Sequence, residues 1–420
     1  MSLETSRSPS DAPPAPSRST FAALALPNYR IFAAGALVSN VGTWMQRVAQ
    51  DWLVLDLSGG SGVAVGITTA LQFVGMLVLS PYAGVIADRF DRRRILMVTQ
   101  TWLALCAAAL GLLAITGLAE TWHVYVIAFL FGLGTAFDNP ARQAFVYELV
   151  GPERLPNAIG LNSATFHAAR IVGPAVAGFV IAGFGTGWAI LSNAVTYLAF
   201  MLALRLLDPW RLRLEPRTER SGGQIREGFA YVSRHPQILL AFGVALSVGT
   251  FGMNFQLTSA LMAQQEFGLG AQQYGLLGTF VAVGSLTGAL LAARRTRAPS
   301  GRFLVGMALA FGAIEAVAGL MPTYATFAAV LPVMGLACLL TLTAANASVQ
   351  LSVDPALRGR VMALYATVLL GGTPIGAPLI GWVGEALGPR WTLIGGGALT
   401  MLGVALTALL LARAAERRTL

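Results

Sequence analysis

Gly84-Val85-Ile86-Ala87-Asp88-Arg89-Phe90-Asp91-Arg92-Arg93-Arg94 is a short charged stretch between two long apolar segments. Four arginines and two aspartates fall within residues 88–94. A short loop of this kind belongs at a membrane surface, and its positive charge marks the cytoplasmic side. Gly84 lets two helices approach closely. Asp88 can accept hydrogen bonds from the N-terminus of a facing helix. Arg89, Arg92 and Arg93 can hold two parts of a helical bundle together on one side. A plain basic loop that only fixes topology is the alternative.

Composition agrees with a membrane setting. The 420 residues are 55% hydrophobic and 11% charged, where a soluble domain would carry roughly 25% charged residues. All 28 basic residues are arginine. The net charge of +9 falls in membrane-flanking loops, so topology accounts for it and no nucleic-acid partner is expected. Cys106 and Cys338 lie in apolar segments of different halves and read as reduced core residues. They have no metal-ligand spacing. No Walker loop, zinc spacing or nucleophile motif is present, so neither an enzyme nor an ATP-driven pump is expected, and no cofactor or metal.

Residues 1–28, rich in Ser, Pro and Ala, read as a disordered tail. The first apolar run then spans about 31–55 and carries polar groups unusual for a membrane helix. Asn40, Trp44, Arg47 and Asp51 recur at spacings of 4, 3 and 4 and share one face. Polar groups are costly in lipid, so this face must look into protein or water, either lining a cavity or neutralising itself through an Arg47–Asp51 pair. The fourth segment carries Thr135, Asp138 and Arg142 on one stripe. Pro140 either kinks it or, with Asn139 as N-cap, begins a separate short helix. The fifth segment holds His167, Arg170, Gly173 and Pro174; Arg170 falls mid-membrane and needs compensation. His167 reads as a packing residue or a proton carrier. A charged linker follows at 208–236, with a short amphipathic helix near 224–233.

The second half repeats the plan, with segments near 237–260, 273–293, 303–320, 326–349, 361–383 and 391–411. About twelve spans result, each near the ~20 residues a bilayer needs. Val150-Gly151-Pro152 mirrors Val353-Asp354-Pro355, Gly173 mirrors Gly376 and Gly84 mirrors Gly288. Units of 29–207 and 237–412 follow, with a tail at 413–420. Parallel repeats of this kind place a substrate site between halves near the midplane. Counting segments puts both termini on the arginine-rich side, the cytoplasmic one.

The loop Gly-x-x-x-Asp-Arg-Phe-x-Arg-Arg-Arg at 84–94 resembles that between the second and third helices of the major facilitator superfamily, although Asp91 stands where that family usually has glycine. Gly173-Pro174-Ala175-Val176-Ala177-Gly178 partly resembles the Gly-Pro motif of its antiporters, with Ala169 and Ala177 at two family glycine positions. Gly42-Thr43-Trp44-Met45-Gln46, Phe137-Asp138-Asn139-Pro140-Ala141-Arg142-Gln143 and Arg358-Gly359-Arg360-Val361-Met362 look like the bacterial branch of enterobactin exporters and macrolide efflux pumps, the transmembrane secretion effectors.

The resemblance implies an all-α polytopic membrane protein of major facilitator fold. It would have two six-helix bundles related by a pseudo-two-fold axis, in the bacterial inner membrane. It implies a monomeric secondary transporter that exports an amphiphilic small molecule (drug, macrolide or siderophore) by alternating access, coupled to protons. Import or exchange of a small metabolite, and a scaffold that moves nothing, are the alternatives. The family places its first, fourth, seventh and tenth helices around the cavity. The stripes there give Asn40, Trp44, Arg47, Thr135, Asn254, Asn346 and Gln350 as substrate candidates, though such stripes also glue helices together. Asp138, then Asp51, then Glu315, with His167 behind them, are the candidates for proton coupling.

Overall fold

The computed structural model describes residues 21–213, 224–294, 299–354 and 357–419. The first part of the tail (1–20), linker residues 214–223, Arg295, Arg297, Pro355 and Ala356 lie outside the described residues. So do the side chains of Asp88, Ile225, Arg226, Arg417 and Arg418. The described chain is helical, without a strand. Its helices are α1 (Pro27–Leu57), α2 (Gly62–Arg89), α3 (Arg92–Ile115), α4 (Thr121–Val150), α5 (Leu155–Phe184), α6 (Thr186–Arg205), α7 (Gln224–Arg234), α8 (Pro236–Ser247), α9 (Phe255–Leu261), α10 (Ala271–Ala293), α11 (Gly301–Gly319), α12 (Tyr324–Ser352), α13 (Arg358–Gly371), α14 (Thr373–Leu387) and α15 (Pro389–Thr419).

Among the described residues, eleven stretches are long and apolar enough to cross a membrane. α1 is not one of them, because the stripe containing Asn40, Gln46, Arg47, Gln50 and Asp51 lowers its hydropathy. It is still 31 residues long, roughly 46 Å at the helical rise, and it packs between α5 and α6. Local chemistry sets the helix starts. Ser61 Oγ accepts from Ala64 N–H at 3.0 Å to cap α2. Asp91 Oδ1 accepts from Arg94 N–H at 2.8 Å to cap α3. Asp91 has φ −60°, so the turn there needs no left-handed residue, and a capping carboxylate replaces the family's glycine.

Glycines carry the repeat into three dimensions. In the first half, α2 and α4 meet where Gly75 faces Phe129 and Gly132 faces Gln72. In the second, α10 and α12 meet where Gly284 faces Pro332 and Gly335 faces Val281. A Cβ on any of the four would strike the facing backbone. Likewise Gly173 on α5 abuts Val41 and Trp44 of α1, while its sequence mirror Gly376 on α14 abuts Thr250 in the seventh pass.

Three sequence expectations need correcting. The tail expected to be disordered over 1–28 is folded in its last part: Ala22–Ala25 forms a 3-10 turn, α1 begins at Pro27, Ala23 N–H donates to Asn157 Oδ1 at 2.9 Å, and Asn28 Nδ2 donates to Asp208 O at 2.9 Å. Of the two readings of Pro140, the separate short helix capped by Asn139 is wrong; Pro140 lies inside one helix from Thr121 to Val150. The seventh pass is not one continuous helix. α8 runs into a π turn at Val248–Gly252, and Met253–Asn254 is non-helical before α9. A second π turn follows at Met262–Glu266. Gly249 and Gly252 let Leu369 and Phe311 come close to the backbone at the break. Asn254 Nδ2 donates to Thr250 O at 3.0 Å and Phe251 O at 3.2 Å, satisfying carbonyls that the interrupted ladder frees. The eleventh pass is also divided, α13 meeting α14 at Gly372.

α2 packs along α14, and α5 along α10, and these two seams join the halves. Both seams are tightest toward the end carrying the α1–α2 loop. A Cβ on Gly62 would sit 2.8 Å from Gly381 O, one on Gly66 2.5 Å from Ala377 O, and one on Gly178 2.9 Å from Gln272 Cα. At the opposite end lie the start of α1, the end of α15 and most exposed arginines, including Arg30, Arg89, Arg94, Arg205, Arg234, Arg302 and Arg358. Exposed Trp122, Trp188, Trp382 and Trp391 lie toward the sealed end, as interfacial aromatics do.

Candidate functional site: a cavity between the two halves

A space between the halves, on the inter-half seams, holds about 990 Å³ free of protein atoms, its mouth included. Trp44 and Arg47 enter it from α1, Thr69 and Phe73 from α2, and Arg170 and Pro174 from α5. The second half adds Met253 and Asn254 at the break, Phe255 from α9, Tyr274 and Gly278 from α10 and Thr373 from α14. Gly173 lets α5 close on α1 beneath Trp44, and the Gly275 backbone of α10 comes against Pro174 O. The Gly-Pro pair is thus a packing junction of three helices at the cavity wall. Asn254 Oδ1 is buried without a hydrogen-bond partner.

Of the polar stripes expected to line a cavity, Trp44, Arg47 and Asn254 do so here. Asn40, Thr135, Asn346 and Gln350 are not among the lining residues. The Thr135 hydroxyl bonds back to Phe131 O at 2.9 Å, and Gln350 Nε2 donates to Asn346 Oδ1 at 2.8 Å. Other groups of α1 hold helices together: Asn193 Nδ2 on α6 donates to Gln46 Oε1 at 2.6 Å, and the Thr43 and Tyr197 hydroxyls meet at 3.0 Å.

The expected Arg47–Asp51 pair is replaced by a bond between the halves. Tyr274 OH on α10 donates to Asp51 Oδ2 at 3.0 Å, and the Tyr274 ring stacks on Trp52 at 5.8 Å. Asp51 is 6% exposed. Beyond it, toward the sealed end, Gln264 Nε2 donates to Asp56 Oδ1 at 3.1 Å. Gln265 Nε2 donates to Gly60 O. Glu385 accepts from the Ser61 hydroxyl and from Val63 N–H, the latter at 3.1 Å. Apart from the carboxylates of Asp51, Asp56 and Glu385, none of these was marked by charge or motif. Tyr274 is an uncharged residue one place inside an apolar segment.

Gly66→Leu should open this seal, because its side chain has no room against the α14 backbone. Overpacking costs about 1–3 kcal/mol, which lowers the sealed population roughly ten-fold. The check is labelling of Ser259→Cys, 2% exposed at the cavity wall, by a membrane-impermeant maleimide added on the sealed side, faster in the Gly66→Leu background. Unchanged labelling would show that the seam does not control access.

The remaining acids sit elsewhere. Asp138, 4% exposed, accepts at Oδ1 from Thr99 Oγ1 at 2.8 Å and Gln100 Nε2 at 2.7 Å. Its Oδ2 holds Arg142 through Nε at 3.1 Å and NH2 at 3.0 Å, and the guanidinium lies 4.4 Å from the Phe200 ring centroid. All these groups belong to α3, α4 and α6. Glu315, 1% exposed on α11 with Oε2 unpartnered, lies against Gly396 of α15, away from the seams. His167 is half-buried, edge-on to Phe166 at 5.8 Å, with Nδ1 unpartnered. In the charged loop, Arg92 NH1 pairs with Glu148 of α4 at 3.0 Å, Arg93 NH2 donates to Arg205 O at 3.2 Å, and Arg89 is exposed.

With this geometry, similarity to known proteins has a physical content. A family model described as transmembrane secretion effector matches residues 18–419. The multidrug efflux pump Tap of Mycolicibacterium fortuitum is 27% identical, covering 91% of this chain and 95% of that protein. The enterobactin exporter EntS of Escherichia coli O1:K1 / APEC is 26% identical over 94% of each. The crystal structure of a bacterial homologue of the human lysosomal transporter Spinster, inward-facing and unoccupied, superposes with a TM-score of 0.73. It has 15% identity and covers 92% of this chain and 96% of that one, which is a likeness of fold. The chain is a multi-pass membrane protein of the transmembrane secretion effector family, a transporter of major facilitator fold.

Proposed function

We propose that the protein is a secondary active exporter of amphiphilic small molecules, driven by the proton gradient and working as a monomer by alternating access. The carrying observation is the cavity between the halves, sealed by glycine seams at one end and walled by aromatic rings with a few polar groups. Pockets of this composition suit ligands with an apolar body and few hydrogen-bonding groups. Arginine crowding at the unsealed end supports a cytoplasmic position for that end and for both termini, in a bacterial inner membrane. With the outer end sealed, this state would load substrate from the cytoplasm. Residues 29–207 and 237–412 are then the rocking units and 208–236 their linker. The loop of Gly84, Asp88, Arg89, Arg92 and Arg93 acts in the other state, latching the cytoplasmic ends together.

The test is transport by purified protein in liposomes with a proton gradient as the only energy source. Fluorescent amphiphiles of both charges serve as probes. Uphill movement that collapses with a protonophore is expected. No movement under any gradient, with the protein folded, would favour a scaffold; downhill movement alone would favour a facilitator.

A further inference from the structure

Arg47 and Arg170 share a ring. The Arg47 Cζ lies 5.0 Å from the Trp44 centroid and the Arg170 Cζ 5.4 Å from it. Both line the cavity, one from α1 and one from α5. Neither makes an ion pair or hydrogen bond among the described residues, and Arg47 Nε is buried without a partner. Elsewhere the protein satisfies its inward arginines: Arg142 has Asp138, and Arg92 has Glu148. Asp51, the carboxylate that Arg47 feels electrostatically, directs its Oδ2 to Tyr274. Both guanidiniums stand against one indole, so the site carries two cations against one engaged carboxylate. Stacking on an indole offsets part of the desolvation of a guanidinium and leaves its N–H donors unused. Charges left in this condition inside a membrane protein mark a ligand path.

We infer that the cavity takes an anionic amphiphile as its ligand, with its carboxylate, phosphate, sulfonate or ionised phenol between Arg47 and Arg170 and its apolar body against Phe73, Met253 and Phe255. A guanidinium presents a planar fork that pairs with such oxyanions in a bidentate way. A cationic amphiphile of the same shape meets like charge in a site partly shielded from water. This inference rests on the transporter reading and narrows it.

The test compares two dyes with one xanthene body and opposite charge, carboxyfluorescein and rhodamine 6G. Binding to the purified protein in a non-ionic detergent is followed by dye polarisation and by quenching of tryptophan fluorescence. Carboxyfluorescein should bind at least about ten-fold tighter. Arg47→Gln and Arg170→Gln should each weaken it roughly ten-fold or more while leaving rhodamine binding equal or improved. Arg47→Lys and Arg170→Lys should retain part of the preference, because the charge remains and the fork is lost. If a Gln variant misfolds and loses both dyes, the Lys variants decide. Rhodamine binding as tightly as carboxyfluorescein, carboxyfluorescein binding that ignores both arginines, or no binding of either dye would overturn the inference. Uphill transport of rhodamine with no anion preference would overturn it and leave the exporter standing. Arginine-dependent binding of carboxyfluorescein without any transport would leave it standing and sink the exporter.

Discussion

Asp138→Asn should cost the protein a large part of its stability. The carboxylate anchors four bonds from Thr99, Gln100 and Arg142, and Arg142 NH1 is already buried without a partner. Asparagine keeps the shape and two acceptor lone pairs but leaves the Arg142 charge uncompensated. Breaking one partner of a buried pair costs about 3–5 kcal/mol. A lower melting temperature and a smaller monodisperse fraction in size-exclusion chromatography are expected. Asp138→Asn with Arg142→Gln should recover part of the loss, because the stranded cation is gone. A stable Asp138→Asn that fails only in uphill transport would reverse this reading and return Asp138 to the head of the coupling candidates. The sequence placed it there because it shares a helix turn with Arg142. The structure surrounds it with α3 and α6 of its own half, where a rocking motion between halves changes little.

The surroundings of Asp138 show where sequence stopped being legible. Spacing along one helix was readable: Trp44 and Arg47 line the cavity, and Asp138 and Arg142 pair at i, i+4. The repeat was readable through its glycines. Partners across helices were not, because hydropathy and period describe one helix at a time. Thr99 and Gln100 behind Asp138, and Tyr274 opposite Asp51, carry no mark in sequence that distinguishes them from lipid-facing or packing residues. The break in the seventh pass escaped for a related reason: an apolar run reports length, and backbone hydrogen bonding does not alter it. Gly249-Thr250-Phe251-Gly252 followed by Asn254 was the available signal.

Asp51→Asn should abolish uphill transport and preserve exchange. A coupling acid must experience different surroundings in the two states of the cycle, since a ligand shifts an equilibrium only through differential interaction with its states. Asp51 is positioned to meet that condition. Its partner Tyr274 belongs to the other half, and the bond sits behind the sealed end. Parting the halves at that end breaks the bond, unstacks Tyr274 from Trp52 and admits water to the carboxyl from the opposite side of the membrane. Glu315 does not meet it, because it packs within its own half against Gly396. The neutral amide at position 51 can still accept from Tyr274, so the seal should form and substrate should still exchange down its gradient. Proton-driven accumulation should fall to the level of empty liposomes, and Glu315→Gln should keep it wherever the variant folds. The measurement is accumulation under an imposed pH gradient beside counterflow without one, in the same vesicles. Normal uphill transport by Asp51→Asn would remove this residue from the coupling path. Loss of both activities in a folded Asp51→Asn would mean instead that its charge, and not its proton, closes the outer end.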